Sequence, residues 1–226
     1  MNLLATLLII AGSGVLAMIA LNLINILQAG SKKPDGRTMA QILGVDPEDA
    51  TYDDVEKLSR SEKMQLFYAA PAPDFTSLNG EYSARLLSGG ILGGSSAYFT
   101  HHIFPTGRPT LRTRWIGKGF KSEGESMGTG YNIFTDNTGG SSKILRIRKI
   151  KTYLAPTRIG KTGKLSFHID YSEFNSGAVH SMRDEVRQIN QNLFIGAGYM
   201  GIGGGPANPA PFALIGPPKP WEGADQ

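Results

Sequence analysis

The sequence predicts a mainly β protein: an antiparallel barrel of about eight strands, preceded by a single N-terminal transmembrane helix and a short helical neck. Three observations predict it. Residues 3–29 carry no charge. Glycine is abundant, 29 of 226 residues, which favours a turn-rich β domain over a helical one. After residue 78, short runs of alternating apolar and polar residues recur between Gly/Asn turns, at the spacing of a meander that closes on itself.

The uncharged run is the expected anchor, over residues 1–30. About 20 apolar residues cross a bilayer core, so this run is long enough to cross with some tilt. Leu4, Leu8, Val15, Ile19 and Leu23 are its expected anchor residues. A cleaved signal peptide would start basic, have a shorter apolar segment and end on a small-residue site. Here no Lys or Arg precedes the run, and Leu27-Gln28-Ala29 is a poor cleavage site. Asn22 and Asn25 lie three apart and share a helix face, where they would bond a neighbouring helix or meet lipid headgroups. Lys32, Lys33 and Arg37 follow at once. Cytoplasmic flanks collect Lys and Arg, which places the C-terminal domain in the cytoplasm.

Residues 31–77 read as linker and neck. Asp46-Pro47-Glu48-Asp49 is a helix-start pattern, with Pro at the first helical position and acids in the first turn. One or two short helices are expected between residues 47 and 70, burying Val55, Leu58, Met64, Phe67 and Tyr68. Pro71 and Pro73 end the region. The acids Asp46, Glu48, Asp49, Asp53, Asp54, Glu56 and Glu62 make the neck acidic, while residues 108–121 and 143–158 hold basic residues and no acid. A basic wall facing an anionic leaflet fits that segregation, and a solvated face is the plainer alternative.

The strands are expected at residues 81–87, 112–121, 130–135, 143–154, 165–171, 183–189, 193–200 and 212–215. Leu165, Phe167, Ile169 and Tyr171 alternate with Ser166, His168 and Asp170, so the first set faces the interior. In the strand 143–154 the alternation breaks at Ile150, which suggests a bulge. Asn190-Gln191-Asn192 is a hairpin turn. Residues 89–109 fit no strand; they read as a loop and short helix that close one barrel mouth. Residues 216–226 form a Pro-rich, extended tail that packs Trp221 on the surface or offers it to a partner.

Two stretches resemble the calycins, the lipocalin-like barrels, including lipid-associated fibrillin-like and uncharacterised bacterial proteins. Leu78-Asn79-Gly80-Glu81-Tyr82 resembles the entry to the first lipocalin strand, with Tyr82 in place of the usual Trp. Residues 182–189, then Leu193-Phe194-Ile195-Gly196 and Phe212-Ala213-Leu214, resemble the closing strands of such proteins. The resemblance covers residues 78–215. It implies a lipocalin-like barrel around an apolar ligand, and no catalytic residue. The expected interior ligand-binding residues are Tyr82, Trp115, Tyr131, Phe167, Ile169, Tyr171 and Arg187.

Other motifs point to no chemistry. Ala155-Pro156-Thr157-Arg158-Ile159-Gly160-Lys161-Thr162 matches a relaxed phosphate-binding loop. A strand, not a helix N-terminus, follows it, so no amides and dipole converge on a phosphate. His101 and His102 are adjacent and point apart, a poor pair for one metal. Residues 201–205 lack the strand–helix context of a dinucleotide fingerprint. Asp170, Asp184, Glu185 and Arg187 are candidates for buried ion pairs, because one face of the strand 183–189 must bury polar groups. There is no cysteine, so thiolate chemistry is excluded. No nucleophile–base pair or paired acid stands out; neither an enzyme nor a cofactor is expected, and no metal or nucleic-acid site. The expected protein is a membrane-anchored barrel binding a lipid or other hydrophobic ligand, with membrane lipids as partners, in a bacterial inner membrane. The alternative is a non-catalytic accessory subunit of a larger membrane complex, contacting other integral membrane subunits through the anchor helix and the tail.

Overall fold

The computed structural model describes residues 3–225 except Ser31, Ser88 and Ile202, and for residues 3–11 the backbone alone. Eight antiparallel strands, each paired with its sequence neighbours, form a closed barrel. They are β1 (Gly80–Leu86), β2 (Thr113–Ser122), β3 (Met127–Asp136), β4 (Lys143–Pro156), β5 (Leu165–Asp170), β6 (Met182–Asn190), β7 (Leu193–Met200) and β8 (Ala210–Lys219). Pairing of Ala84 with Leu214 and Leu86 with Phe212 closes β1 on β8, so no sheet edge is left open.

The predicted strands are all present, and the deviations are local. The bulge lies where the alternation fails: opposite β3 the register slips between Gly130↔Ile150 and Asn132↔Ile147, and Arg148 takes φ 58°. The strand at the C-terminal end is longer than residues 212–215, because residues 216–219 of the Pro-rich stretch continue pairing with β1 through Glu81↔Lys219. Leu165 starts β5 at the barrel end and is 51 % exposed, so only Phe167, Ile169 and Tyr171 of its set are internal.

The barrel has two apolar layers. One is its interior, where Phe75 stacks on Phe167 at 5.2 Å and Tyr82, Phe120 and Phe194 meet edge to face or tilted. This half of the barrel is packed solid with rings. The second layer lies outside β6, β7 and β8. There the neck helices α2 (Met39–Leu43), α3 (Tyr52–Glu56) and α4 (Arg60–Ala69) pack Val55, Met64, Leu66 and Phe67 against Ile189, Ile195, Ala197 and Ala213. All five residues of the predicted neck stripe are buried. Ser59 caps α4 with Glu62 in a reciprocal box. The outer face of β6 is therefore as dry as its inner face, and β6 buries side chains on both sides.

Helix α1 runs Leu3–Gln28 and ties its C-terminal end to the barrel rim. Asn25 Nδ2 donates to Asn208 Oδ1 at 2.6 Å, and Asn208 Nδ2 to Asn22 Oδ1 at 3.1 Å. Leu92 N donates to Asn25 Oδ1 and Ile91 N to Gln28 Oε1. Arg60 caps the helix, donating from Nε to the Asn25 carbonyl, where a cation meets the negative end of the helix dipole. The two asparagines thus bond this chain's own rim. The side chains of Leu4 and Leu8 lie outside the described residues. Val15, Ile19 and Leu23 are 60 %, 52 % and 56 % exposed, so this apolar part of α1 is left uncovered. Among the described residues no helix is long and apolar enough to cross a membrane, and the expected membrane span is not shown.

Candidate functional site

Above the packed half, a cavity of about 990 Å³ extends from the barrel interior out to α1. Its lining runs from Trp115, Tyr171 and Phe212 inside the barrel to Val15 and Met18 on α1. The region predicted to close one mouth contributes to the lining of this cavity. Helix α5 (Gly93–Tyr98) and the π-helical turn Phe99–Ile103 lie over the opening, and Phe99 and Phe104 line it. Phe104 packs edge-on against Phe134 and Tyr171, with centroids 5.5 and 5.7 Å away. His101 fastens this lid: its Nδ1 accepts from the Trp115 backbone N–H at 3.2 Å, and its carbonyl accepts from Thr113 Oγ1. Burial, with Arg114 and His102 nearby, holds the His101 pKa below its usual value.

The floor of the cavity is a buried polar cluster. Lys118 on β2 and Asp184 on β6 pair across the barrel at 2.8 Å. Lys118 Nζ also donates to Asn132 Oδ1 at 2.8 Å and to the Tyr171 hydroxyl. Tyr171 OH donates to Asp184 Oδ2 at 2.8 Å, and Trp115 Nε1 to Asn132 Oδ1 at 3.2 Å. The rings of Trp115, Tyr171 and Phe212 have their centroids 5.2 to 5.5 Å from Nζ, close enough for cation–π attraction. Burial pushes the Lys118 pKa down, against the pull of Asp184. It pushes the Tyr171 hydroxyl well up, a shift the Asp184 carboxylate reinforces. Gly198 makes room for the carboxylate: a Cβ there would stand 2.7 Å from Asp184 Oδ1.

Five of the residues expected inside are inside. Trp115 and Tyr171 line the cavity, whereas Tyr82, Phe167 and Ile169 belong to the packed half of the interior. Tyr131 and Arg187, also expected inside, lie on the outer face. Asn132 and Phe134 take the inner face of β3, so alternation puts Tyr131 on the outer one. There its ring packs on Trp221 of the tail at 4.5 Å, and its hydroxyl donates to Glu81, which pairs with Arg146. Burial, then that carboxylate, pushes the Tyr131 pKa up to about 12. Arg187 is covered by the neck. Its Nε donates to Ser166 Oγ, its Nη1 to the Ala70 carbonyl, and its guanidinium lies 5.1 Å from the Phe67 ring centre. Burial lowers its pKa to about 10.

Of the four groups expected to form ion pairs inside, only Asp184 faces the cavity. Asp170 pairs with Arg183 at 3.1 Å. Glu185 is buried outside the barrel, accepting from Thr157 Oγ1 and the Arg158 N–H. That bond anchors the stretch read as a phosphate-loop match, which connects β4 to β5 as a strand–turn–strand. Lys118 and Asn132 were not foreseen. Their signal was present in parity: Lys118 shares a strand face with Phe120, and Asn132 with Phe134.

Comparison with protein-family models, with curated proteins and with solved structures gave no match. The closed eight-stranded antiparallel barrel is compatible with a lipocalin-like fold.

Proposed function

We propose that this protein is a membrane-tethered barrel that binds a lipid or other hydrophobic molecule in its cavity. The observation that carries this reading is the cavity: about 990 Å³, walled by aromatic rings, and continuous with the exposed apolar side of α1. Ligand pockets of about 300–1,000 Å³ are walled in this way, with a few fixed polar groups. A structural barrel would gain stability by filling this space, as the other half of the same interior does. Support for the tether comes from the uncharged run 3–29 and from the uncovered Val15, Ile19 and Leu23. Support for the cytoplasmic side of a bacterial inner membrane comes from the basic Lys32, Lys33 and Arg37 that follow the run. A molecule leaving the bilayer along α1 would reach the cavity without crossing water.

The second reading is a non-catalytic accessory subunit of a membrane complex. It is favoured by the same uncovered side of α1, which would then face other integral membrane subunits. Asn22 and Asn25 do not add to it, because their side chains are engaged at the barrel rim. Purification of the full-length chain in mild detergent, followed by native mass spectrometry, separates the two. One apolar molecule per chain supports the ligand reading. A stoichiometric protein partner with an empty barrel would replace it by the second.

A further inference from the structure

Resting on the reading that the cavity holds an apolar ligand, we propose that this ligand is an uncharged lipid that enters head first and donates a hydroxyl hydrogen bond to Asp184. The argument is an inventory of donors and charges at the floor. An ammonium group has three N–H donors. Those of Lys118 have three acceptors within reach: Asn132 Oδ1, Asp184 Oδ2 and the Tyr171 oxygen. The Tyr171 hydroxyl is spent on Asp184, and the Trp115 indole N–H on Asn132. Asn132 Nδ2 donates to the Arg148 carbonyl, so the charged group that the cluster has left to offer is an acceptor. Asp184 Oδ1 takes part in none of these bonds and lies over the bare backbone of Gly198, on the cavity lining. A ligand hydroxyl supplies the donor that this oxygen lacks.

Charge excludes the common alternatives. Lys118 and Asp184 sum to zero. A carboxylate or phosphate brought to the floor would face Asp184 with the lysine donors already used and the flank of the ammonium covered by three rings. An added ammonium would leave an uncompensated cation in an apolar enclosure. Burying an unpaired ion is far more costly than burying a bonded hydroxyl. Arg60 is the other charged residue on the lining, and it sits at the rim. Its N–H groups are held by the carbonyls of Asn25, Gly89 and Pro209 and by Asn208 Oδ1, so it does not serve the floor.

The test uses the full-length chain with Trp221→Phe, which leaves Trp115 on the cavity wall as the sole tryptophan. Phosphatidylcholine vesicles present stearyl chains brominated midway, ending in an alcohol, a methyl ether, a carboxylate or a trimethylammonium group. Quenching of Trp115 reports entry. A hydrogen bond to a charged acceptor predicts that the alcohol acts at about a tenfold lower mole fraction than the other three. Equal or better quenching by the ether, the carboxylate or the ammonium overturns the proposal. No quenching by any of them overturns the ligand cavity as well. Asp184→Asn, which places an N–H donor at the floor, should raise the ether relative to the alcohol. If that variant does not fold, the ranking on the wild-type floor decides alone.

Discussion

Lys118 Nζ lies 2.8 Å from Asp184 Oδ2, and their side chains are only 2 % and 6 % exposed. Two charges withdrawn from water cost several kcal/mol each unless geometry and further bonds compensate. Here Asn132 and Tyr171 add hydrogen bonds to the pair, and Trp115 holds Asn132. Removing one partner leaves the other charged and unpaired. Lys118→Met or Asp184→Asn alone should therefore cost about 3–5 kcal/mol of unfolding free energy. The double variant should be less destabilised than the sum of the two, because no lone charge remains. Denaturant unfolding of the four proteins gives the coupling. Strictly additive losses would mean that the pair is not a unit.

The barrel interior divides into a packed half and an open half, and single substitutions should separate them. Phe167 stacks on Phe75 at 5.2 Å and meets Phe120 edge-on at 5.5 Å. Phe167→Ala should cost about 3–5 kcal/mol, the usual loss for a buried aromatic. It should leave the amount of copurifying lipid unchanged in the protein that folds. Tyr171→Phe removes one donor from buried Asp184, for about 1–3 kcal/mol, and should change lipid retention. Loss of lipid from folded Phe167→Ala would contradict the division.

Two histidines make stability fall toward acid. His168 is buried with Nε2 at 3.2 Å from the carbonyls of Ala155 and Pro156, and burial holds its pKa below the usual 6.5. His101 is lowered for the same first reason, and its Nδ1 must stay unprotonated to accept from Trp115. Between the folded pKa and 6.5 the unfolded chain binds more protons than the native one. Unfolding free energy therefore rises with pH across that window and is lost as pH falls through it. Chemical unfolding from pH 7.5 to 5.0 should show this slope, and His168→Gln should flatten it. An unchanged slope in His168→Gln and in His101→Gln would contradict the assignment.

The strand order, the bulge before Ile150 and the lid were legible because each rests on local pattern: period-two alternation, its interruption, and Gly-bracketed aromatics. Which face a side chain takes was less so. Tyr131 reads as interior on size alone, but Asn132 and Phe134 take the inner face of β3, and Trp221, some 90 residues later in sequence, covers Tyr131 on the outer one. Arg187 reads as an interior group because alternation assumes one wet face. The neck makes both faces of β6 dry, a tertiary fact with no local signal. The lysine at the floor was hidden for a related reason. A charged residue between Gly117 and Gly119 looks like surface until the ion across the barrel is known.

The most direct test of the ligand cavity is to narrow it. Ala210 begins β8 on the cavity lining, on the same strand face as Phe212 and Leu214. Ala210→Trp should take part of the space beside Phe212 that a ligand would use, while the packed half and the neck stay intact. Native mass spectrometry of the two full-length proteins, matched by thermal unfolding, is the measurement. The account predicts one lipid-sized molecule per wild-type chain and a clearly smaller share of loaded chains in the variant. A wild-type chain without any bound molecule, or equal occupancy in both, would contradict it.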